Sequence, residues 1–194
     1  ENLLAITVDN PPRASRWYPG AGLYRPVRLV VLEPAHVAHW GVFVTTPEVT
    51  DKAAAIDVRT RIEIHGPERD GEWTLETCVL DPEGRCVATD RQILTGGNER
   101  EARQRLTVAS PRRWSIEHPA RYRLRTRILQ ASVALDEQET VFGIRTIAFS
   151  SREGFMLNGR RVPLRGVCLH HDLGPLGAAV NRAALARQLR LLRD

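Results

Sequence analysis

A strict alternation of apolar and polar residues runs through the middle of this 194-residue chain. In residues 55–64, AIDVRTRIEI, every second position from Ile56 to Ile64 is aliphatic or threonine, and the positions between them are charged. Residues 122–128, YRLRTRI, repeat the pattern, with arginines on one face and mostly apolar residues on the other. Successive side chains of a strand point to opposite faces, so the pattern predicts antiparallel sheets that are buried on one face only.

Seven strand-like segments, separated by turn signals such as HGPERDGE, DPEG and TGGNERE, lie within residues 35–149. Seven short strands over about 115 residues, with no helical pattern among them, predict an immunoglobulin-like β-sandwich in a mainly β protein. The cysteine and tryptophan hallmarks of that fold are absent from the sequence, so only the architecture is predicted. The predicted strands are residues 39–46, 55–64, 73–80, 85–94, 102–108, 120–129 and 139–149.

Residues 1–34 contain two strand-like runs, LLAITVDN and PVRLVVLEP, on either side of a loop rich in proline and aromatic residues. Two strands are too few to fold alone, so we expect this segment to complete a β-domain whose other strands lie upstream. The last helical segment, RAALARQLRLLRD, has no Gly or Pro after it. We therefore expect the chain to be an internal part of a longer protein.

After residue 150 the pattern changes to a hairpin, a strand and a helix. Asn158 and Gly159 predict a tight hairpin turn, and an apolar strand-like run follows it. Leucines spaced along residues 182–193 predict an amphipathic helix, with Asn181 as its N-cap. A strand, a polar loop and a helix in this order form the opening unit of a βα architecture.

Charge and hydropathy argue against two classes of partner. The formal net charge is +5, and it comes almost wholly from arginine because Lys52 is the only lysine. The arginines alternate with apolar residues and do not cluster with aromatic residues on one face, so we predict no nucleic-acid partner. No apolar run reaches the length that a membrane-spanning helix needs, so we predict no membrane partner.

Two of the three cysteines flank the DPEG turn. In a hairpin whose loop is these four residues, Val79 pairs with Cys86 and Cys78 pairs with Val87. That register places the thiols of Cys78 and Cys86 on opposite faces of the sheet, so we expect no disulfide between them.

The polar residues His170, His171 and Asp172 stand between an apolar run and a glycine-rich loop in LRGVCLHHDLGPLG. Adjacent residues of an extended strand point in opposite directions, so these three side chains cannot easily share one ion. We predict no metal site and no cofactor here.

Four segments carry a family resemblance: SRWYPGAGLYRPVRLV, RRWSIEHPARYRL, FGIRTIAFSSREGFMLNGRRVPLRGVCLHHDLGPLGAAVN and RQLRLLRD. They resemble, in this order, the signatures of glycoside hydrolase family 2, the family of β-galactosidases, β-glucuronidases and β-mannosidases. The resemblance implies three domains. They are the last strands of a sugar-binding jelly-roll domain in residues 1–34, an immunoglobulin-like β-sandwich domain in residues 35–149, and the first βα unit of a (β/α)8 catalytic barrel in residues 150–194.

The resemblance also implies a retaining exo-β-glycosidase that hydrolyses terminal β-linked sugars. β-Galactosidase is the favoured activity, and β-glucuronidase and β-mannosidase are the alternatives. Family members use two glutamates at the ends of later barrel strands, so no residue of this chain is assigned a catalytic role and we expect the chain alone to be inactive. The implied partner is a β-glycoside carbohydrate substrate, and the parent is expected to be a homo-oligomer.

A competing interpretation is a non-catalytic carbohydrate-binding or adhesion module. The strand, HHD loop and helix argue against it, because a free-standing sandwich has no use for a βα unit.

The resemblance assigns substrate contacts to the HHD loop. In the family, a histidine-rich triplet after the first barrel strand reaches the sugar, and His170, His171 and Asp172 match it. Asp172 matches the member that touches sugar hydroxyls, where an ionised carboxylate makes strong hydrogen bonds. The alternative is that His170 packs under the barrel mouth and that His171 is a surface residue.

The aromatic residues Trp17, Tyr18 and Tyr24 offer flat faces on which a sugar ring could stack. The alternative is that their loop seals the jelly roll against the barrel. Ser15 stands where some β-galactosidases of the family have an aspartate that helps to bind sodium, so no sodium site is predicted.

The segment RRWSIEHP contains Trp114, Glu117 and His118 and matches a structural connection of the family. We therefore predict a structural and not a functional role for these three residues.

Overall fold

The computed structural model describes residues 3–9, 11, 22–23, 27–66, 71–95, 99–168, 173–174, 177, 179 and 181–193. Internal contacts divide the chain into two units, Val31–Leu164 and the two flanking segments 1–30 and 165–194. All the strands of the described residues lie in the first unit, and their one helix lies in the second. The mainly β fold that the sequence predicts is therefore confirmed.

Seven strands of the first unit form two antiparallel sheets. These strands are β1 (Ala35–Val49), β2 (Ala53–Ile64), β3 (Glu72–Leu80), β4 (Cys86–Thr95), β5 (Glu99–Ala109), β6 (Tyr122–Gln130) and β7 (Val133–Phe142). One sheet has the order β1-β2-β5, and the other has the order β4-β3-β6-β7.

The alternation in the sequence gives each sheet one buried face. On β6, Tyr122, Leu124, Thr126 and Ile128 are buried, as predicted, while the arginines between them lie on the opposite face. The buried side chains form two clusters, each built from strands of both sheets. The two sheets therefore share one core, because alternate residues of each sheet turn toward the other.

Trp73, near the start of β3, is fully buried among Ile62, Leu94 and Ile128. This tryptophan is therefore part of the core between the two sheets.

The β3–β4 hairpin has a different register from the predicted one. The N–H of Asp81 donates to the carbonyl of Arg85 at 2.9 Å, and Gly84 has φ 88°, so the loop contains only residues 82–84. Leu80 then pairs with Cys86, and a bulge follows before Val79 pairs with Ala88. A bulge of this kind adds one residue to one strand.

This register brings Cys78 and Cys86 to the same face of the sheet. Their Cα atoms are 6.1 Å apart, and the two residues form a disulfide. The expectation of no disulfide is therefore wrong, because the shorter loop changes the partner of Cys86 by one residue and so reverses the direction of its side chain. Cys168 is free and exposed.

The last predicted sandwich strand, residues 139–149, is also corrected. It divides into the end of β7 and a separate strand, β8 (Ile147–Ser150). β7 begins earlier, at Val133, after a two-residue turn in which Ala131 and Ser132 have φ of 46° and 73°. This geometry is usually supplied by Asn-Gly, so Ala-Ser gives no hairpin signal.

Glu76 lies on the outer face of β3, between Arg91 of β4 and Arg127 of β6. The Nε atom of Arg91 donates to Glu76 Oε2 at 2.7 Å, and Nη1 of Arg127 donates to Oε1 at 3.1 Å. The hydrogen bond from Arg91 is the largest influence on the Glu76 carboxyl. With the positive charges of both arginines, it outweighs the effect of burial and lowers the pKa.

The predicted hairpin at Asn158-Gly159 joins β9 (Gly154–Leu157) to β10 (Arg160–Arg161), and β8 pairs with β9. Asn158 and Gly159 have φ of 50° and 75°, as this turn requires. Asn158 also donates from Nδ2 to the carbonyl of Trp114 at 2.9 Å and accepts from the N–H of Thr146 at 3.0 Å. The side chain that makes the turn therefore also fixes the hairpin to two distant segments.

The flanking segments contain fewer regular elements than the sequence predicts. Neither residues 3–9 nor residues 27–34 form a strand, and Leu3 and Leu29 are more than nine-tenths exposed. Residues 162–168, expected to form an apolar strand, are also outside any strand. A strand needs hydrogen-bonded neighbours, and none pairs with these segments among the described residues.

The predicted helix is confirmed as α1 (Arg182–Arg193). Asn181 is its N-cap, because its Oδ1 accepts hydrogen bonds from the N–H groups of Ala183 and Ala184 at 2.9 and 3.3 Å. None of the helix residues whose side chains are described is buried.

Candidate functional site

The three predicted sugar-contacting residues, His170, His171 and Asp172, lie outside the described residues. Their described neighbours on the N-terminal side, residues 163–168, are exposed. On the C-terminal side a tight turn forms, in which the N–H of Leu173 donates to the carbonyl of Gly177 at 2.9 Å. Gly174 and Gly177 have φ of 59° and 54°. In the sequence, the predicted triplet therefore stands between this exposed segment and the turn closed by Leu173 and Gly177.

The glycines of this turn have a clear conformational role. A positive φ near 60° is strained for most side chains, and glycine adopts it without cost. In the sequence, these glycines stand out only as the border of the polar triplet.

The aromatic loop also lies outside the described residues. This applies to Ser15, Trp17, Tyr18 and Tyr24, so neither sugar stacking nor a sealing role is tested for them.

Trp114 makes contacts that give it the predicted structural role. Its N–H donates to the carbonyl of Ile144 at 2.8 Å, and its carbonyl accepts from Asn158. The guanidinium carbon of Arg145 lies 4.8 Å from the centre of the indole ring. A side chain at Gly143 would place a Cβ atom 3.0 Å from Trp114 Cβ. Trp114 therefore fixes the segment before β6 against the end of β7.

Glu117 and His118 are exposed and line a cavity of about 580 Å³ between this segment and the β9–β10 hairpin. Arg113, Arg160 and Arg161 also line it. The hydrogen bond from the N–H of Glu117 to its own carboxylate, followed by that from the Ser115 hydroxyl, lowers the pKa of Glu117. The cavity walls thus carry one ionised carboxylate and three arginines.

No sequence signal indicated this cavity, because its two walls, residues 113–118 and 157–162, are far apart in the chain. They meet through the hydrogen bond between Asn158 and Trp114. Carboxylate and guanidinium groups can both form hydrogen bonds with a hydroxylated ligand. These side chains are exposed, however, and no further feature of the described cavity favours a particular ligand.

In the described part of the chain, no helix combines the length and the apolar character required to cross a bilayer.

Comparisons with known proteins identify relatives across the whole chain. The β-galactosidase BoGH2A of Bacteroides ovatus is 41% identical over 196 residues, which cover 100% of this chain and 23% of that protein. A crystal structure of a glycosyl hydrolase family 2 member from Bacteroides cellulosilyticus is 38% identical with a TM-score of 0.88, and the match covers 96% of this chain and 26% of that one. The crystal structure of Bacteroides uniformis β-glucuronidase is 26% identical with a TM-score of 0.83, over 96% of this chain and 24% of that one.

The chain therefore spans about a quarter of the length of these relatives. The family model described as "Glycosyl hydrolases family 2" matches residues 35–145, more than half of the chain. This match begins at the first residue of β1, and the similar proteins extend it over both flanks. The chain belongs to glycoside hydrolase family 2.

Proposed function

We propose that this chain is part of a retaining exo-β-glycosidase that hydrolyses terminal β-galactosides. The observation that carries the proposal is the 41% identity, over the whole length of the chain, to a β-galactosidase of Bacteroides ovatus. A retaining glycosidase uses one carboxylic acid to protonate the leaving oxygen and a second carboxylate, about 5 Å away, as the nucleophile. We propose that both groups lie outside this chain, in later strands of the barrel.

β-Glucuronidase is the second candidate. It is favoured by the similarity to the β-glucuronidases of Bacteroides uniformis and Bacteroides fragilis, each 26% identical to this chain. It ranks second because the identity to the β-galactosidase is higher and covers more of the chain.

The proposed domain layout is the end of a jelly roll in residues 1–34, an immunoglobulin-like sandwich in residues 35–149, and the start of a (β/α)8 barrel in residues 150–194. The division of seven strands into sheets of three and four supports the middle assignment. Tyr122 supports it too. It begins β6, and its hydroxyl accepts a hydrogen bond from the N–H of Arg112 at 2.9 Å, similar to the tyrosine corner of immunoglobulin-like domains.

Within this proposal Asp172 binds a sugar hydroxyl, and His171 and His170 lie beside it as further substrate contacts. The tight turn at Leu173–Gly177 and the N-cap of α1 support a fixed loop end beside this triplet. Hydrogen bonds to a charged group are stronger than those between neutral groups, so replacing this carboxylate should weaken sugar binding strongly.

The test uses the whole protein that contains this chain. Hydrolysis of the p-nitrophenyl β-D-galactoside, β-D-glucuronide and β-D-mannoside is measured, and NMR follows the anomer formed first. We expect the galactoside to have the highest kcat/KM and the first product to keep the β configuration. Asp172→Asn should lower kcat/KM about 30-fold. Asp51→Asn makes the same chemical change at a residue that is 85% exposed and should leave kcat/KM unchanged.

Preference for the glucuronide would support the second candidate. An α-configured first product would contradict a retaining enzyme. If the whole protein bound β-glycosides but hydrolysed none of them, it would be a non-catalytic carbohydrate-binding module. The chain alone, assayed in parallel, should show no turnover, and sedimentation of the whole protein tests the proposed homo-oligomer.

A further inference from the structure

Three side chains with metal-binding atoms meet where β1 begins and β2 ends. They belong to His36, Glu63 and His65. One potential ligand atom from each residue lies within 4.8 Å of the other two. The cluster is in the unit Val31–Leu164 and does not include any residue of the proposed sugar site.

The sheet register explains why these residues meet. His36 and Glu63 are direct partners across the antiparallel β1–β2 pair. His65 follows Glu63 by two residues, and its N–H donates to the carbonyl of Pro34 at 2.9 Å, so the pairing continues past the end of β2. Residues two apart on a strand share a face, and the buried neighbours Ala35, Ile62 and Ile64 occupy the other face. All three side chains therefore project from the same outer face of the sheet.

The distances are close to those that a tetrahedral metal requires. Glu63 Oε2 lies 3.6 Å from Nε2 of His36 and 3.5 Å from Nε2 of His65. Ligands bound at about 2.0 Å to a tetrahedral zinc ion are about 3.3 Å apart. Both measured separations are within a few tenths of an ångström of that value. The centres of the two imidazole rings are 5.7 Å apart, so small side-chain rotations could bring the ligand nitrogens of His36 and His65 to the same separation.

A hydrogen bond to the backbone orients the imidazole ring of His36. His36 Nδ1 is 2.8 Å from the carbonyl oxygen of Glu33. A carbonyl oxygen only accepts, so Nδ1 carries the hydrogen and Nε2 of the neutral ring keeps its lone pair for a metal. A histidine whose other ring nitrogen donates to a carbonyl is the usual arrangement around a bound metal.

Burial also suits a binding site better than an accidental surface pair. The His36 side chain is 12% exposed and that of Glu63 is 32% exposed, while His65 is 66% exposed. Two ligands are thus held in place by their surroundings, and the third can rotate to admit an ion. Two histidines and one carboxylate are a common ligand set for zinc, with water in the open position.

We propose that His36, Glu63 and His65 bind one divalent transition-metal ion of the zinc class. His36 lies at the start of β1, Glu63 at the end of β2 and His65 just after it, so the ion would join the two strands at the open end of their hairpin. Imidazole nitrogens disfavour calcium and magnesium, which prefer oxygen ligands.

The test is a calorimetric titration of the chelator-treated chain with zinc chloride, repeated with cobalt chloride under visible spectroscopy. We expect one ion per chain and the absorption bands of tetrahedral cobalt. Glu63→Gln and His65→Ala should each weaken zinc binding at least about tenfold. Zinc should also raise the Tm of the wild-type chain and should not raise that of these variants. Circular dichroism verifies that both variants fold, and His65 is exposed enough for its replacement to be tolerated.

The chain has three other sites that carry histidine, and they provide the matched controls. His39→Ala, His118→Ala and the double variant His170→Ala/His171→Ala should each keep wild-type zinc affinity. Zinc binding that survived Glu63→Gln and His65→Ala, or that disappeared in a control variant, would overturn the proposal. Absence of zinc binding in the wild-type chain would also overturn it.

Discussion

Glu76 lies between two arginines on neighbouring strands, and its carboxylate is largely buried. Its hydrogen bonds to Arg91 and Arg127 hold its pKa below the ordinary value, so the ionised form stabilises the fold. The pH dependence follows from the sign of this shift. The contribution is fully present above the unfolded pKa of about 4.3 and is lost as the pH falls through the lower folded pKa.

We expect Glu76→Gln to lower the free energy of unfolding by about 2 kcal/mol at pH 7, because the charged hydrogen bonds are lost. The difference from the wild type should shrink as the pH falls below about 4. Urea unfolding measured between pH 7 and pH 3 checks both statements. Glu139→Gln is the control, since Glu139 is an exposed partner of Arg123 and should cost less than about 1 kcal/mol. Parallel curves for the wild type and Glu76→Gln across this pH range would contradict the argument.

Some residue-level features could be predicted from the sequence and others could not. The buried positions of β2 and β6 follow from local alternation, because one face of each sheet is covered. The pairing of His36 with Glu63 could not be predicted, since it depends on the register between two strands and on a bulge in β1. The role of Asp172 rests on the family resemblance and stays a prediction.

The β3–β4 hairpin shows how a small change in a loop alters an entire element. A three-residue loop and a bulge replace the expected four-residue loop, and the two cysteines come together. Nothing in the DPEG sequence distinguishes these two loops. The Asn158-Gly159 turn was predictable because that dipeptide favours positive φ at both positions.

The disulfide predicts a simple thiol count. Alkylation of the denatured chain without reductant should modify Cys168 alone, and alkylation after reduction should modify all three cysteines, as read by intact-mass spectrometry. The loop closed by the bond is short, with a sequence separation of 8, so Cys86→Ser should lower the free energy of unfolding by about 2.5 kcal/mol. Cys168→Ser serves as the control and should leave stability unchanged. Three reactive thiols before reduction would contradict the assignment.

At the scale of the whole molecule, every buried hydrophobic residue of the described chain lies between Ala35 and Leu157. A chain of residues 31–164 keeps all of these residues. We expect it to unfold cooperatively, with a free energy of unfolding within about 0.5 kcal/mol of that of the full chain. Chemical denaturation followed by tryptophan fluorescence compares them, because Trp73 is in the core of both. A broad, non-cooperative transition of the shorter chain would contradict this prediction.

The same distribution explains which parts of the fold the sequence could predict. Residues 35–142 contain every strand of the two sandwich sheets, so local alternation and turn signals indicated where most of these strands lie. The start of β7 was missed because the Ala131-Ser132 turn gives no hairpin signal. Residues 3–9, 27–34 and 162–168 have strand-like sequences but no strand partner among the described residues. Hydrophobic patterning indicates what a segment can become, whereas a strand also needs a neighbour to pair with.

The disulfide between Cys78 and Cys86 also depends on the redox environment in which the chain folds. Disulfides form and persist in oxidising compartments, and cytosolic reductants normally keep thiols free. Protein isolated from its native cells under rapid acid quenching would preserve the redox state of this hairpin. The oxidation state of this cysteine pair would thus indicate whether the chain matured in an oxidising or a reducing compartment.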